Sequence, residues 1–130
     1  MRKQYHSRKI GADLYVWDVH QLVRKSKNLR AFHLPLSEIT ELDENWWYDD
    51  GKSLPTPRAI AAHIALVAQT DLKHPIILCQ NGRLMDGMHR AVKALTQQRS
   101  TILAIRFPHT PEPDYINVNL ENLPYPDEDV

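Results

Sequence analysis

The sequence predicts a single α+β domain in which helices pack against a small mixed sheet. A chain of 130 residues has room for one hydrophobic core. Its 42% hydrophobic and 25% charged residues are typical of soluble globular domains. Segments with helical periodicity alternate with short β-rich segments, and this mixture favours the α+β class.

Residues 1–28 predict a basic segment that contains one helix. Residues 1–13 are polar and basic without a period, which is typical of an extended, loosely attached segment. Helical spacing from about residue 15 to 27 predicts a helix, with Asp13 or Asp18 as its N-cap. The apolar positions that carry this spacing are Val16, Val19, Leu22 and Val23.

Residues 29–56 predict a strand followed by a long loop. Apolar residues alternate along 32–36, and Pro35 limits such a strand to a sheet edge or a strand end. Residues 40–56 show no period, so we expect a loop anchored by aromatic side chains. These side chains, which could also form a lid over a nucleobase, are Trp46, Trp47 and Tyr48.

The next segment predicts a helix and a β-hairpin. Thr56 as N-cap and Pro57 at the first helical position indicate a helix that runs to about Gln69. Its apolar stripe is Ile60, Ile64 and Val67. The apolar run 76–79 is followed by Asn81-Gly82, which favours a type I′ turn and an antiparallel return strand over 83–86.

A strand-to-helix switch is predicted at Gly87, since the period changes from 2 to 3.6 there. The next helix has its apolar face at Met88, Val92 and Leu95. Residues 101–107 form a β-rich segment that is expected to lie beside the hairpin. Residues 108–130 predict an acidic, Pro-rich tail that is loosely attached.

The charges are balanced overall but arranged in blocks. The formal net charge is zero, which removes the usual reason to expect a free-standing nucleic-acid binder. Residues 1–30 and 51–107 each carry eight bases and two acids, whereas 31–50 and 108–130 each carry six acids and no base. An anionic ligand is therefore expected within 51–107. The alternative is that these blocks stabilise the fold by attracting one another.

Cysteine usage and hydropathy predict a cytoplasmic, non-membrane protein. Cys79 is the single cysteine, so no intramolecular disulfide can form, and the first residues show no secretory leader. The apolar stretch 60–68 is interrupted by His63 and is too short to span a membrane.

The chemistry-bearing motif is Asp86-Gly87-Met88-His89-Arg90, at the predicted start of a helix. A helix N-terminus leaves backbone N–H groups unpaired and attracts anions. Gly87 allows a ligand close to the backbone, and His89 and Arg90 add donors. Asp86 is either the N-cap of this helix or a group near a transferred phosphoryl. Lys93 follows Arg90 on the same helix face and extends the cationic patch.

The order of elements in residues 74–107 resembles the ParB/sulfiredoxin superfamily. The shared features are an apolar strand, a hairpin, a strand ending in Asp-Gly, then x-His-Arg, an alanine-containing helix and a strand. Residues 32–39 also resemble the opening strand and turn of that family. The resemblance implies a nucleotide-binding domain over residues 29–107, used in the family for CTP-gated clamping, ATP-driven sulfinic acid repair or phosphorylation of free serine. The box is most similar to that of the free serine kinases.

The resemblance and the motif together suggest a site without metal ligands from the protein. The predicted catalytic residues are Asp86 and His89. The predicted phosphate or nucleotide ligands are Gly87, Met88, His89, Arg90, Lys93 and Arg58. The expected ligand is ATP, ADP or CTP, with or without Mg²⁺. Sulfiredoxins need a cysteine where this chain has Met88, and a thioether is no nucleophile, so sulfinic acid repair is not expected.

Two classes of function remain open from the sequence. The first is phosphoryl transfer or nucleotide hydrolysis at the box. The second is a non-enzymatic interaction or DNA-associated module that holds a protein partner or binds nucleic acid weakly and without sequence preference. A nuclease is a weaker third reading, because no carboxylate cluster for two metals lies near the motif.

Overall fold

Two sheets and three helices make up residues 3–125, which are the residues that a computed structural model describes. The fold class is therefore α+β, as predicted. The helices are α1 Val19–Lys25, α2 Pro57–Gln69 and α3 Met88–Thr96. The strands are β1 Tyr5–Ile10, β2 Asp13–Asp18, β3 Phe32–Pro35, β4 Ile76–Leu78, β5 Leu84–Asp86, β6 Thr101–Arg106 and β7 Tyr115–Ile116. Short 3₁₀ turns cover Leu36–Glu38, Thr40–Asp43 and Leu120–Asn122.

The larger sheet is mixed and has the strand order β3-β6-β4-β5. β6 runs antiparallel to β3 and parallel to β4, and β5 returns antiparallel to β4. β3, which ends at Pro35, lies at the edge of the sheet as predicted. β4 is apolar at every position because both of its faces are covered, Ile76 and Leu78 on the α3 side and Ile77 on the other.

One core lies between this sheet and α3. α3 buries Met88, Ala91 and Ala94. Of the predicted face, Met88 is buried, Val92 is partly buried against this core and Leu95 is exposed. Alanine side chains let the helix axis approach the sheet closely, so the smaller residues of the helix face inward. The periodicity located the helix correctly, and its predicted apolar face is confirmed at Met88 and Val92 but wrong at Leu95.

The hairpin forms at Asn81-Gly82 but not through a type I′ turn. Gly82 has φ +82°, while Asn81 is not among the described residues with positive φ. The N–H of Gly82 donates to the Cys79 carbonyl at 2.9 Å, and the N–H of Cys79 donates to the Arg83 carbonyl at 2.8 Å. This pattern is a tight turn followed by a bulged glycine, and a separate register shift between β4 and β5 lies between Ile77 and Leu78.

The predicted helix over 15–27 is wrong in its first part, which is strand. β1 and β2 form an antiparallel hairpin, and β7 from the C-terminal region adds to the other edge of β2. Pairing with β7 is a contact between distant parts of the chain, and a local period cannot reveal it. The helix begins after Asp18, whose carboxylate accepts from the N–H of His20 at 2.9 Å, so the N-cap prediction is confirmed.

The C-terminal region is held to the domain along residues 111–117. The indole Nε1 of Trp17 donates to the Pro111 carbonyl at 2.8 Å, and the N–H of Asp18 donates to Asp114 at 2.8 Å. The predicted loose attachment therefore does not hold here, and residues 126–130 of the predicted tail lie outside the described residues. Within residues 3–125, no helix is both long and apolar enough to cross a membrane.

A second core fills the opposite face of the larger sheet. It is formed by residues of β2, α1, the hairpin and the end of β6: Trp17, Leu22, Ile77, Cys79, Met85 and Phe107. The first 28 residues thus contribute to the same hydrophobic interior as the central segment.

Candidate functional site

The strand-to-helix switch falls at Gly87, as predicted, and its geometry is constrained. Gly87 is the N-cap of α3 with φ +111°, and no side chain caps this helix end. A Cβ on Gly87 would lie 2.6 Å from Cγ2 of Ile76 and 2.9 Å from Nη2 of Arg90. Packing therefore explains this glycine, and a glycine at the N-cap supplies no side chain to cap the first turn of α3.

Asp86 and Arg90 form an ion pair one helical turn apart. Nη2 of Arg90 donates to Oδ2 of Asp86 at 3.1 Å and to the Pro75 carbonyl at 3.3 Å. The side chains are mostly buried, with Arg90 18% and Asp86 12% exposed. Asp86 therefore does not cap α3; it orients Arg90. Nε of Arg90 is buried and has no hydrogen-bond partner within the described residues.

A pair of histidines lies beside this ion pair. Nδ1 of His63, on α2, and Nε2 of His89, in the first turn of α3, are 2.9 Å apart. One of these nitrogens donates and the other accepts, and the tautomers decide which. Trp47 is stacked nearly parallel on both rings, with centroid distances of 4.0 Å to His63 and 5.0 Å to His89. The long loop thus contributes an aromatic wall, as its sequence suggested.

These residues line a cleft of about 630 Å³, here called the α3 cleft. Its floor is the start of α3 from Asp86 to Arg90, and its walls come from α2, the long loop and the N-terminal hairpin. The remaining polar groups of the walls are Gln4, Tyr5, His6, Gln69 and Thr70. The cleft therefore combines an aromatic wall with several hydrogen-bonding side chains.

A buried carboxylate fixes the loop that carries the aromatic wall. Glu41 accepts a hydrogen bond from the N–H of Leu84, on the open edge of β5, and another from Oγ1 of Thr40 at 3.1 Å. Arg83 pairs with Glu44 through two hydrogen bonds of 2.8 and 2.9 Å. The loop is thus tied to the sheet just before Trp46 and Trp47.

His6 occupies the junction of the hairpin with the loop. Its ring lies 5.9 Å from that of Trp46 in a stacked arrangement and 5.7 Å from that of Trp17. Burial, with the nearby charges of Arg8 and Arg83, lowers the pKa of His6 to about 3. His6 is therefore a neutral, aromatic element of the cleft wall at neutral pH.

Two of the predicted cationic ligands do not line the α3 cleft. Nζ of Lys93 donates to the carbonyls of Thr70 at 2.6 Å and Ala68 at 3.3 Å, at the C-terminal end of α2. This is a capping arrangement, in which the ammonium satisfies carbonyls that the helix leaves unpaired. Arg58 is exposed in the first turn of α2. The predicted Gly87, Met88, His89 and Arg90 all line the cleft, together with Asp86.

A second cleft of about 770 Å³ shares Tyr5, His6 and Trp46 with the first. Its charged lining residues are four bases and four acids: Arg8, Lys9, Lys52, Arg83, Glu44, Asp49, Asp50 and Glu121. This balance gives no preference for an anion. The α3 cleft is the better candidate site because a helix N-terminus opens into it.

His63 is absent from the residues predicted for the site, although one signal for it was available. It interrupts the apolar run 60–68 on the side of α2 that also carries the half-buried Leu66 and Val67. A polar side chain on the inward face of a helix requires a partner. The partner, His89, lies 26 residues further along the chain, so only the fold identifies it.

The α3 cleft can hold an anion and move a proton. Backbone N–H groups and a mostly buried guanidinium attract negative charge, and an imidazole can both donate and accept a hydrogen bond. The described residues contain no group of three or more His, Cys, Asp or Glu side chains placed to hold a metal ion. Comparison with protein families, with curated proteins and with solved structures gives no match to this chain.

Proposed function

We propose that this protein binds the phosphates of a nucleotide in the α3 cleft and acts in phosphoryl transfer or nucleotide hydrolysis. The observation that carries this proposal is the start of α3, which no side chain caps and which opens into a cleft of about 630 Å³. Such a volume is typical of small-molecule sites. The resemblance of the Asp86–Arg90 box to the ParB/sulfiredoxin superfamily supports the same function.

In this proposal the phosphates lie against the first-turn N–H groups of α3. His89 and His63 supply imidazole donors, and Arg90 supplies a cation held in place by Asp86. The buried Nε of Arg90 is a hydrogen-bond donor without an acceptor among the described residues. Because buried donors are normally satisfied, this favours a ligand oxygen or a water molecule next to Nε. Trp46 and Trp47, with Gln4 and Gln69, are available for the base and sugar.

Magnesium would enter this site with the nucleotide. Mg²⁺ usually takes one or two protein carboxylates plus phosphate oxygens and water. Asp86 is the carboxylate that lines the α3 cleft among the described residues. The carboxylate of Asp86 would then contact both the magnesium ion and the guanidinium of Arg90.

Calorimetric titration with ATP, ADP and CTP, each with and without Mg²⁺, tests the proposal directly. We expect at least one of them to bind with one-site stoichiometry, because the anion-binding features converge on the α3 cleft and the second cleft has no preference for an anion. Inorganic phosphate serves as the matched probe for the phosphate subsite alone. Absence of binding by all three nucleotides would overturn the proposal.

The variant Arg90→Lys is expected to bind nucleotide about tenfold or more weakly than the natural chain, because lysine cannot reproduce the fixed fork of donors. Lysine keeps a cation beside Asp86, so the ion pair of the fold is retained. Arg99→Ala is the control, since Arg99 is exposed and its hydrogen bond joins it to Gln97. Equal affinities for Arg90→Lys and the natural chain would remove Arg90 from the phosphate site.

The variant Asp86→Asn separates binding from turnover. Asparagine keeps an oxygen that can accept from Nη2 of Arg90, so we expect folding and nucleotide binding to persist. Turnover is expected to fall sharply, since the negative charge that would orient Mg²⁺ or a nucleophile is gone. Both quantities are measured on one sample. Full turnover in Asp86→Asn would show that Asp86 has only a structural role.

The second candidate is a non-enzymatic interaction module, and the outer surface of α2 favours it. α2 has no buried residue, and its exposed side chains are mainly apolar. Exposed apolar surface of this kind marks interaction sites. The nucleotide titrations also discriminate here, since a pure interaction module would bind none of the three nucleotides.

A further inference from the structure

The outer surface of α2 is apolar although it faces solvent. Ile64 is 63% exposed and Ile60 is 45% exposed, and Leu54, just before the helix, is 70% exposed. The exposed alanines on the same helix are Ala61, Ala62, Ala65 and Ala68. Arg58 is the one charged residue of α2. A contiguous apolar surface of this kind on a helix is typical of a contact surface for other protein.

The described part of the chain does not cover this surface. The inward side of α2 is formed by Ala59, His63, Leu66 and Val67, which are half-buried. None of the residues of α2 belongs to either hydrophobic core. Of the predicted apolar stripe Ile60, Ile64 and Val67, the two isoleucines are exposed, whereas His63 lies on the inward side beside His89.

We propose that α2 forms the interface of a two-fold symmetric homodimer, packed antiparallel against α2 of a second copy. This proposal is independent of the nucleotide function. In the arrangement, Ile64 of each copy faces Ala65 of the other, and Ala61 faces Ala68. The isoleucine side chains then fill the space that the small alanines leave, and the apolar surfaces of both copies are buried together.

Charge complementarity favours a second copy as the occupant. Arg58 lies at the N-terminal end of α2, and Asp71 lies just after its C-terminal end. Antiparallel packing centred between Ile64 and Ala65 brings Arg58 of each copy beside Asp71 of the other, so the pair forms twice. Oδ1 of Asp71 accepts a hydrogen bond from the N–H of Lys73 at 2.9 Å, whereas Oδ2 makes only a 3.6 Å contact with the exposed ammonium of Lys73, so Oδ2 can pair with Arg58 of the other copy.

The absence of other charges on the outer surface of α2 also favours a second copy of this chain as its partner. A partner recognised by electrostatics would need a charged counterpart, and α2 offers only Arg58 between Pro57 and Gln69. The chain has a formal net charge of zero, so two copies do not repel each other at long range. A second copy therefore meets the surface with matching shape, hydrophobicity and charge.

Sedimentation equilibrium of the full chain over a wide concentration range tests the dimer. We expect the mass to rise from 15.1 kDa towards twice that value as concentration increases. Ile64→Glu is expected to weaken the dimer by about a hundredfold or more, because it buries a charge at the centre of the interface. Ile64 is exposed in the single chain, so this variant should fold, and circular dichroism checks that it does. Ile116→Glu, at an exposed isoleucine of β7, is the matched control and should dimerise normally.

Charge reversal tests the proposed register. Arg58→Asp and Asp71→Arg should each weaken the dimer by about tenfold, because each places two like-charged pairs in the interface. The double variant restores opposite charges and should recover the natural affinity. A mass of 15.1 kDa at every concentration would overturn the proposal and leave the surface to a different protein. A dimer that survives Ile64→Glu, or a double variant as weak as the single ones, would also overturn it.

Discussion

Gly87→Ala is expected to destabilise the fold by about 2–5 kcal/mol, a large part of the stability of a small domain. The added Cβ would lie 2.6 Å from Cγ2 of Ile76, in the centre of the larger sheet. The residue would also have to keep φ +111°, which side-chain-bearing residues rarely adopt. Chemical denaturation followed by tryptophan fluorescence measures the loss.

Gly11→Ala is the matched control for this variant. Gly11 also has positive φ, +63°, but a Cβ there would meet no atom within 4 Å. Gly11→Ala should therefore lower the free energy of unfolding only through backbone strain, by about 1 kcal/mol. The difference between the two variants measures the clash with Ile76 and Arg90 together with the larger backbone cost of φ +111° compared with φ +63°. Equal losses for Gly11→Ala and Gly87→Ala would show that α3 can shift away from β4 at little cost.

Acid is expected to destabilise the protein through His6. The pKa of His6 is about 3 in the folded chain and near the ordinary 6.5 when unfolded. Between these values the unfolded chain binds a proton that the folded chain does not, so the free energy of unfolding falls as the pH falls through this window. Each pH unit within it costs up to about 1.4 kcal/mol, and the total reaches several kcal/mol.

Urea unfolding at a series of pH values from about 7 to about 5 measures this effect above the range in which ordinary carboxylates titrate. His6→Phe keeps an aromatic ring between Trp17 and Trp46 but cannot bind a proton, so its stability should be much less dependent on pH. His109→Phe, at an exposed histidine, should retain the pH dependence of the natural chain. Identical pH dependence in His6→Phe and the natural chain would contradict the assignment.

Local patterns were sufficient for much of the central segment. Thr56 and Pro57 start α2, Pro35 ends an edge strand, and Asn81-Gly82 locates the hairpin. Each of these residues acts on the backbone within a few positions, so its effect can be predicted from neighbours alone. The Asp86–Arg90 box was located at a strand-to-helix junction for the same reason, and the structure has that junction at Gly87.

Patterns that depend on distant partners were misjudged. Residues 13–18 have an apolar spacing that suits a helix, yet they form β2 because β1 and β7 pair with both of its edges. α3 buries Ala91 and Ala94 in the core with Met88, whereas Leu95 of its predicted face is exposed. In both cases packing between separate segments outweighed local preference.

By itself the sequence determined the α+β class, the edges and starts of several elements, and the strand-to-helix junction at the beginning of α3. Only the tertiary structure decided that His63 meets His89, that Lys93 caps α2 instead of reaching the cleft, and that Ile60 and Ile64 face solvent. The reason is that turns and caps are set by interactions within a few residues. The lining of a cleft depends on side chains that lie far apart in sequence and meet only when the chain has folded.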